Sequence, residues 1–262
     1  MKRENISNLI VEPLFNVPAL KIKTERNIII AIADLHIGYE HSLGKKGIIV
    51  KSKTGEILNV ILKILVREKP DRLVMVGDIK DELFGASPGT ARELKLFFSK
   101  LRESVEDITV VKGNHDGRIE DLLPDTIRMV GPKGGIVEGI GFFHGHSWPS
   151  ADILECHLVV TAHNHPTFAS ILAGERYFYH PCWIRGKLDG LKALEHYPEG
   201  GRERIENASF IVMPSFTKTG KGVVVNNERI FLGPVLANGL LCEGSSRAYL
   251  LDGTELGYLD QF

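Results

Sequence analysis

The chain is poor in cysteine: Cys156, Cys182 and Cys242 are the three among 262 residues, and no CxxC pair occurs. That excludes a disulfide scaffold and a thiolate zinc knuckle, and it fits reduced thiols in a cytoplasmic protein. Net charge is missing as well, because 32 basic and 33 acidic side chains leave a formal charge of -1. No global field draws such a chain to nucleic acid or to an anionic membrane, although a local basic patch is still allowed. Long apolar runs are absent too, and none approaches the roughly 20 residues that cross a bilayer. The opening MKRENISNLIVEPL is too polar, and too broken by Pro13, for a secretory leader. Repeats and low-complexity tracts are lacking. These gaps describe one soluble domain over residues 1–262 with no membrane partner.

What is present is a series of short, β-branched runs that each stop at polar residues. They are Ile28–Ala33, Leu73–Val76, Ile108–Val111, Gly141–Phe143 and Leu158–Thr161. Near-continuous apolar strands imply burial on both faces, as in a layered α/β sandwich. Between the first three lie helical patterns over 54–68 and over 90–102, the latter opening with Thr90 and Glu93 at capping-box spacing. Strand, helix, strand, helix, strand predicts βαβ units. Residues 1–26 read as a leading arm or edge strands. Residues 184–206, charged and containing Pro198, Gly200 and Gly201, read as an excursion over the surface.

The strand ends carry the chemistry. Read together they are Asp34-x-His36, Asp78, Asn114-His115-Asp116, His144-x-His146 and His163-x-His165. In layered α/β folds such ends converge on one crevice. Residues i and i+2 of an extended chain point to one side, so D-x-H and H-x-H can each offer two side chains to one ion. Oxygen and imidazole donors without thiolate suit Mn, Fe, Co, Ni or Zn. Seven or more donors exceed the needs of one ion, whereas two ions about 3.5–4 Å apart, sharing a carboxylate, would use them all.

The ordered set ADLH (33–36), GD (77–78), GNHD (113–116), HGH (144–146) and AHNH (162–165) resembles the calcineurin-like metallophosphoesterases. ADLHIGYE (33–40), GDIKDE (77–82) and MPSFTKTGKGVVVN (213–226) make it most similar to the ICC-like, DNA-ligase-associated branch. The resemblance implies a four-layer α/β/β/α sandwich with mixed sheets. It implies two divalent metal ions, manganese first, with Asp78 bridging. Asp34, His36 and His165 would complete one shell, and Asn114, His144 and His163 the other. The pattern favours His144, directly after its strand, over His146 as the ligand. His115 would be the general acid, oriented by Asp116. The implied activity is hydrolysis of a phosphoester, a phosphodiester by preference, through in-line attack by a metal-bound hydroxide. A phosphomonoesterase or a nuclease would use the same site, so nucleotides and nucleic acid are candidate partners. A non-catalytic scaffold of this fold is the reading from another class, but it has no physical reason to retain so many costly polar groups. One departure from the pattern is Ala162, where glycine is usual.

Other residues are placed more simply. Lys80 and His146 are candidate substrate contacts, as is the Asn114 amide. His41, His157, His180 and His196 have no partner motif and read as structural or surface residues. Lys218 and Lys221 form a basic turn without phosphate-loop spacing. Phe142, Phe143, Tyr177, Phe178 and Tyr179 are expected in the core.

Overall fold

Three of the apolar runs form a parallel core: β3 (Ile28–Ile32), β4 (Arg72–Val76) and β5 (Asp107–Val111). In the computed structural model, which describes residues 9–172, 176–217, 222–227 and 229–262, their side chains alternate between two layers. Ile30, Ile32, Leu73, Met75, Ile108 and Val110 pack under helices. Ile29, Ala31, Val74, Val76 and Val111 face a second sheet. This period of two is why near-continuous hydrophobicity is needed. Antiparallel β1 (Ile10–Pro13) and β2 (Ala19–Lys23) lie outside β3, and β6 (Arg128–Val130) extends the other edge parallel to β5. The first 26 residues therefore include the two strands at one edge of this sheet.

The covering helices are α1 (Tyr39–Lys45), α2 (Thr54–Glu68) and α3 (Pro88–Arg102). Ile61, Ile64 and Leu65 of α2 and Leu94, Phe97, Phe98 and Leu101 of α3 bury their stripe against the sheet. Each fully buried Leu, Ile or Phe contributes about 1.5–3 kcal/mol. The start of α3 differs from the expected capping box. Ser87 is the N-cap, accepting from the Thr90 amide at 3.3 Å with Pro88 at the first turn. Glu93 instead accepts from the Thr54 hydroxyl at 2.5 Å.

The second sheet runs β14-β13-β11-β12-β9-β8-β7, with β10 paired to β11. Its strands are β7 (Gly135–Val137), β8 (Ile140–Phe142), β9 (Leu158–Thr161), β10 (Thr167–Leu172), β11 (Arg176–Gly186), β12 (Ser209–Val212), β13 (Arg247–Leu250) and β14 (Glu255–Tyr258). The pairs β8–β9 and β9–β12 are parallel and the rest antiparallel, so both sheets are mixed. Phe142, Val160, Trp183, Ile211 and Met213 meet the first sheet, while Val159, Ile184, Phe210 and Val212 face the outer helices. Three apolar layers separate four structural ones, which is the α/β/β/α order.

Two expectations change here. Residues 184–206 begin inside β11 and then form α5 (Gly190–His196) and α6 (Arg202–Asn207); α4 (Ala151–Leu154) precedes them in the chain and α7 (Pro234–Ala237) follows. Leu188, Ala193 and Ile205 are buried, so this polar-looking stretch supplies part of the outer helical layer. Phe142 and Phe143 are core residues, but Tyr177, Phe178 and Tyr179 are exposed. They lie where β11 pairs with β10 alone and projects beyond the sheet. Lys218 and Lys221 fall outside the described residues.

Candidate metal centre

The polar ends of β3, β4, β5, β8 and β9 meet above the seam between the sheets. Two donor groups form there, Asp34 with His36 and His165, and Asp78 with His144 and His163; within each, one ligand atom per residue lies within 4.8 Å of the others. Asp78 links them, its Oδ2 standing 3.4 Å from His144 Nε2 and 4.0 Å from His36 Nε2. Asn114 joins the second group through Oδ1, 3.3 Å from His144 Nε2. All seven expected donors are thus brought together.

The backbone bends sharply to do this. Asp34, His36, Asp78, His163 and His165 all have positive φ, between 44° and 68°. Non-glycine residues there cost of order 1–3 kcal/mol each and persist where surrounding contacts fix them. The fixing contacts are visible. Asp34 N donates to Gly77 O at 3.0 Å, and His36 N to Asp78 O at 3.0 Å, so the first two motifs are laced together. Ser215 Oγ and Thr217 Oγ1 donate to Asp34 O at 3.0 and 3.2 Å, which gives the PSFT turn its place. The glycine of GNHD serves close approach rather than turning: a Cβ on Gly113 would stand 2.2 Å from Asp78 Oδ1. Ala162 is fully buried between the sheets, so its methyl adds to the core.

The electrostatics call for cations. His144 Nδ1 donates to Val76 O at 2.9 Å, which turns Nε2 toward the Asp78 and Asn114 oxygens. Lone pairs converge there unless a proton or a metal ion stands between them. Burial alone would lower the His144 pKa, but the facing Asp78 carboxylate raises it to about 9. Burial would raise Asp78, yet His144 holds it well below the usual carboxylate range. His163 and His146 are pushed down to about 4 by burial and by the charge on His144. Burial also lowers His36, favouring a neutral ring able to ligate. Both Asp34 oxygens are buried; Oδ1 faces His165 Nε2 at 3.2 Å, while Oδ2 has no hydrogen-bond partner, an orphan that costs several kcal/mol in an apolar interior. Oxygen and imidazole donors with an orphaned carboxylate oxygen fit a pair of divalent cations.

Two sequence assignments turn out differently, those of Lys80 and Asp116. Lys80 is fully buried, and its ammonium donates to the carbonyls of Glu82 and His115, so no free amine faces a phosphate. Asp116 does not touch the His115 ring. It accepts from Ile79 N at 2.9 Å, Lys80 N at 3.3 Å and Gly113 N at 2.8 Å, tying GD to GNHD. Burial, and then Asp78, lift the Asp116 pKa to about 6. The ring of His115 is set instead by Asp81, whose carbonyl meets Nδ1. Its amide donates to Asp78 Oδ1 at 2.8 Å. His146 packs beside His144 and His163, with ring centroids 5.4 and 6.1 Å away.

Sequence reasoning missed Asp81, Ser215, Thr217 and Asn164. Asn164 sits between His163 and His165 and grips the Leu232 backbone through both amide atoms, at 2.7 and 3.2 Å. The doubled polar motif GDIKD was the one signal that could have flagged Asp81.

Among solved structures, the nuclease MPE of Pseudomonas putida is similar at 18% identity and a TM-score of 0.55, covering 95% of this chain and all (100%) of that one. The Escherichia coli phosphoesterase Yfce is similar at 18% identity and a TM-score of 0.35, over 58% of this chain and 76% of its own. A predicted phosphoesterase from Streptococcus pneumoniae TIGR4 gives 16% identity and a TM-score of 0.30, over 87% and 91%. No curated protein matches the chain by sequence. Residues 28–217, most of the sandwich and every candidate ligand, match the calcineurin-like phosphoesterase profile, and the chain belongs to that family of hydrolases acting on ester bonds.

Proposed function

We propose that the chain is a cytoplasmic phosphodiesterase acting through two divalent metal ions, manganese by preference. The observation that carries the reading is the meeting of two three-residue donor groups across Asp78, with the Asp34 carboxylate fully buried and its Oδ2 without a hydrogen-bond partner. Asp34, His36 and His165 would hold one ion; Asn114, His144 and His163 the other; Asp78 would bridge. When bound, such a pair lowers the pKa of water and neutralises charge on the phosphoryl oxygens.

The chain's own groups would do the rest. His144 is held by the Val76 carbonyl with Nε2 toward the site, and Asp78 is fixed by the His115 amide, so the donor set is organised before substrate arrives. His115, with Nδ1 on the Asp81 carbonyl, keeps Nε2 available to protonate the departing oxygen. The Asn114 side-chain amide would donate to a phosphoryl oxygen. Nucleotides and nucleic acid are the diesters this reading puts first, and the similar P. putida protein is a nuclease by name.

The test is hydrolysis of bis-p-nitrophenyl phosphate with added Mn, with and without a chelator. Turnover that the chelator abolishes and Mn restores is expected. No chelator-sensitive turnover with any of Mn, Fe, Co, Ni or Zn would reject the hydrolase in favour of a scaffold.

A further inference from the structure

A third cluster stands beside the donor groups: His36, Asp81 and His115 each offer an atom within 4.8 Å of the others. It is poorly made for a third ion. His36 already turns Nε2 toward His165 Nε2 at 3.5 Å and Asp78 at 4.0 Å, so an extra cation would need both nitrogens of one ring. His115 Nδ1 is occupied by the Asp81 carbonyl. The remaining contacts read better as a support for the ring of His36. Its Nδ1 is buried without a hydrogen-bond partner and faces Asp81 Oδ1 at 3.6 Å. The other carboxylate oxygen, Oδ2, accepts from Ser42 Oγ of α1 at 2.5 Å. The backbone of Asp81 is pinned by its amide to Ile37 O at 3.0 Å, next to the D-x-H turn. A ligating imidazole commonly gives its second N–H to a carboxylate, which fixes tautomer and tilt and makes the other nitrogen a better donor.

We infer that Asp81 is a positioning residue for the metal centre: its carboxylate, steadied by Ser42, faces His36 Nδ1 and keeps Nε2 toward the first donor group. Its carbonyl orients His115, so one residue sets both imidazoles. This rests on the reading of His36 as a ligand. In this assignment Asp81 acts through His36 and His115 and would touch neither substrate nor ion, and the substitution Asp81→Ala keeps the backbone carbonyl that meets His115. The two halves of the assignment can therefore be separated.

The experiment is calorimetric titration of Mn into the metal-free protein, on the wild type, Asp81→Ala, Asp81→Asn and Ser42→Ala. Asp81→Asn keeps the volume, so the test survives if the alanine variant folds poorly. Two ions should still bind each variant at saturation. One binding step should weaken by about 10–100-fold in the Asp81 variants and less in Ser42→Ala, with the other step little changed. At saturating Mn, kcat should recover toward the wild-type value with KM for bis-p-nitrophenyl phosphate unchanged. The loss with poor leaving groups should equal that with nitrophenolate, because His115 keeps its carbonyl partner.

Equal weakening of both steps, weakening of neither, or one ion fewer in the Asp81 variants would overturn the inference. A wild type that binds two Mn ions but hydrolyses no diester would sink the proposed activity and leave the inference standing. A wild type that binds no Mn would sink both.

Discussion

Within the same two loops, 77–82 and 113–116, polar neighbours divide between opposite tasks. Asp78, Asn114 and His115 face the donor cluster; Lys80 and Asp116 turn back into the backbone. The second pair is no less buried or hydrogen-bonded than the first. What differs is the partner. Lys80 and Asp116 meet carbonyls and amides that would otherwise be orphaned inside the sandwich, whereas Asp78 and His144 meet each other across a gap suited to a cation. A motif of reactive residue types is therefore part chemistry and part framework, and side-chain type alone does not separate them.

Two substitutions sharpen that contrast. The larger effect is expected from His115→Ala. Removing the acid should cut turnover of diesters with poor leaving groups by about 10²–10⁴-fold, and far less for nitrophenolate, whose departure needs little proton assistance. Equal losses on both substrates, measured as kcat/KM, would strip His115 of the acid role. The smaller effect belongs to Asp116→Asn. An amide nitrogen would then face a backbone N–H, leaving a buried donor unpaired, and the variant should lose about 1–3 kcal/mol of stability in urea unfolding. Its ratio of rates on good and poor leaving groups should stay at the wild-type value. A shift in that ratio would return Asp116 to the acid's support.

Much of the architecture was legible because it obeys period and order. Five apolar runs ending in polar motifs mark β3, β4 and β5 of the first sheet and β8 and β9 of the second, and 54–68 marks α2 to the residue. The convergence of the seven candidate donors was legible for the same reason, since each follows a strand. The misreadings have physical causes. Tyr177, Phe178 and Tyr179 form a continuous aromatic run like that of a strand buried on both faces, but nothing in the pattern says that β11 outruns its sheet and leaves both faces of its end bare. Asp81 and Ser215 were missed because their roles come from contacts far along the chain, 39 residues to Ser42 and 181 to Asp34. Lys80 and Asp116 were given chemical tasks because a sequence shows which groups could react, not which backbone atoms need a partner.

The central claim is spatial: two cations held side by side through one shared carboxylate. Electron paramagnetic resonance of the fully Mn-loaded protein tests it most directly. Ions about 3.5–4 Å apart should give the spectrum of a spin-coupled pair, and Asp78→Asn should abolish that coupling. A saturated wild-type protein showing only isolated, uncoupled Mn would contradict the account.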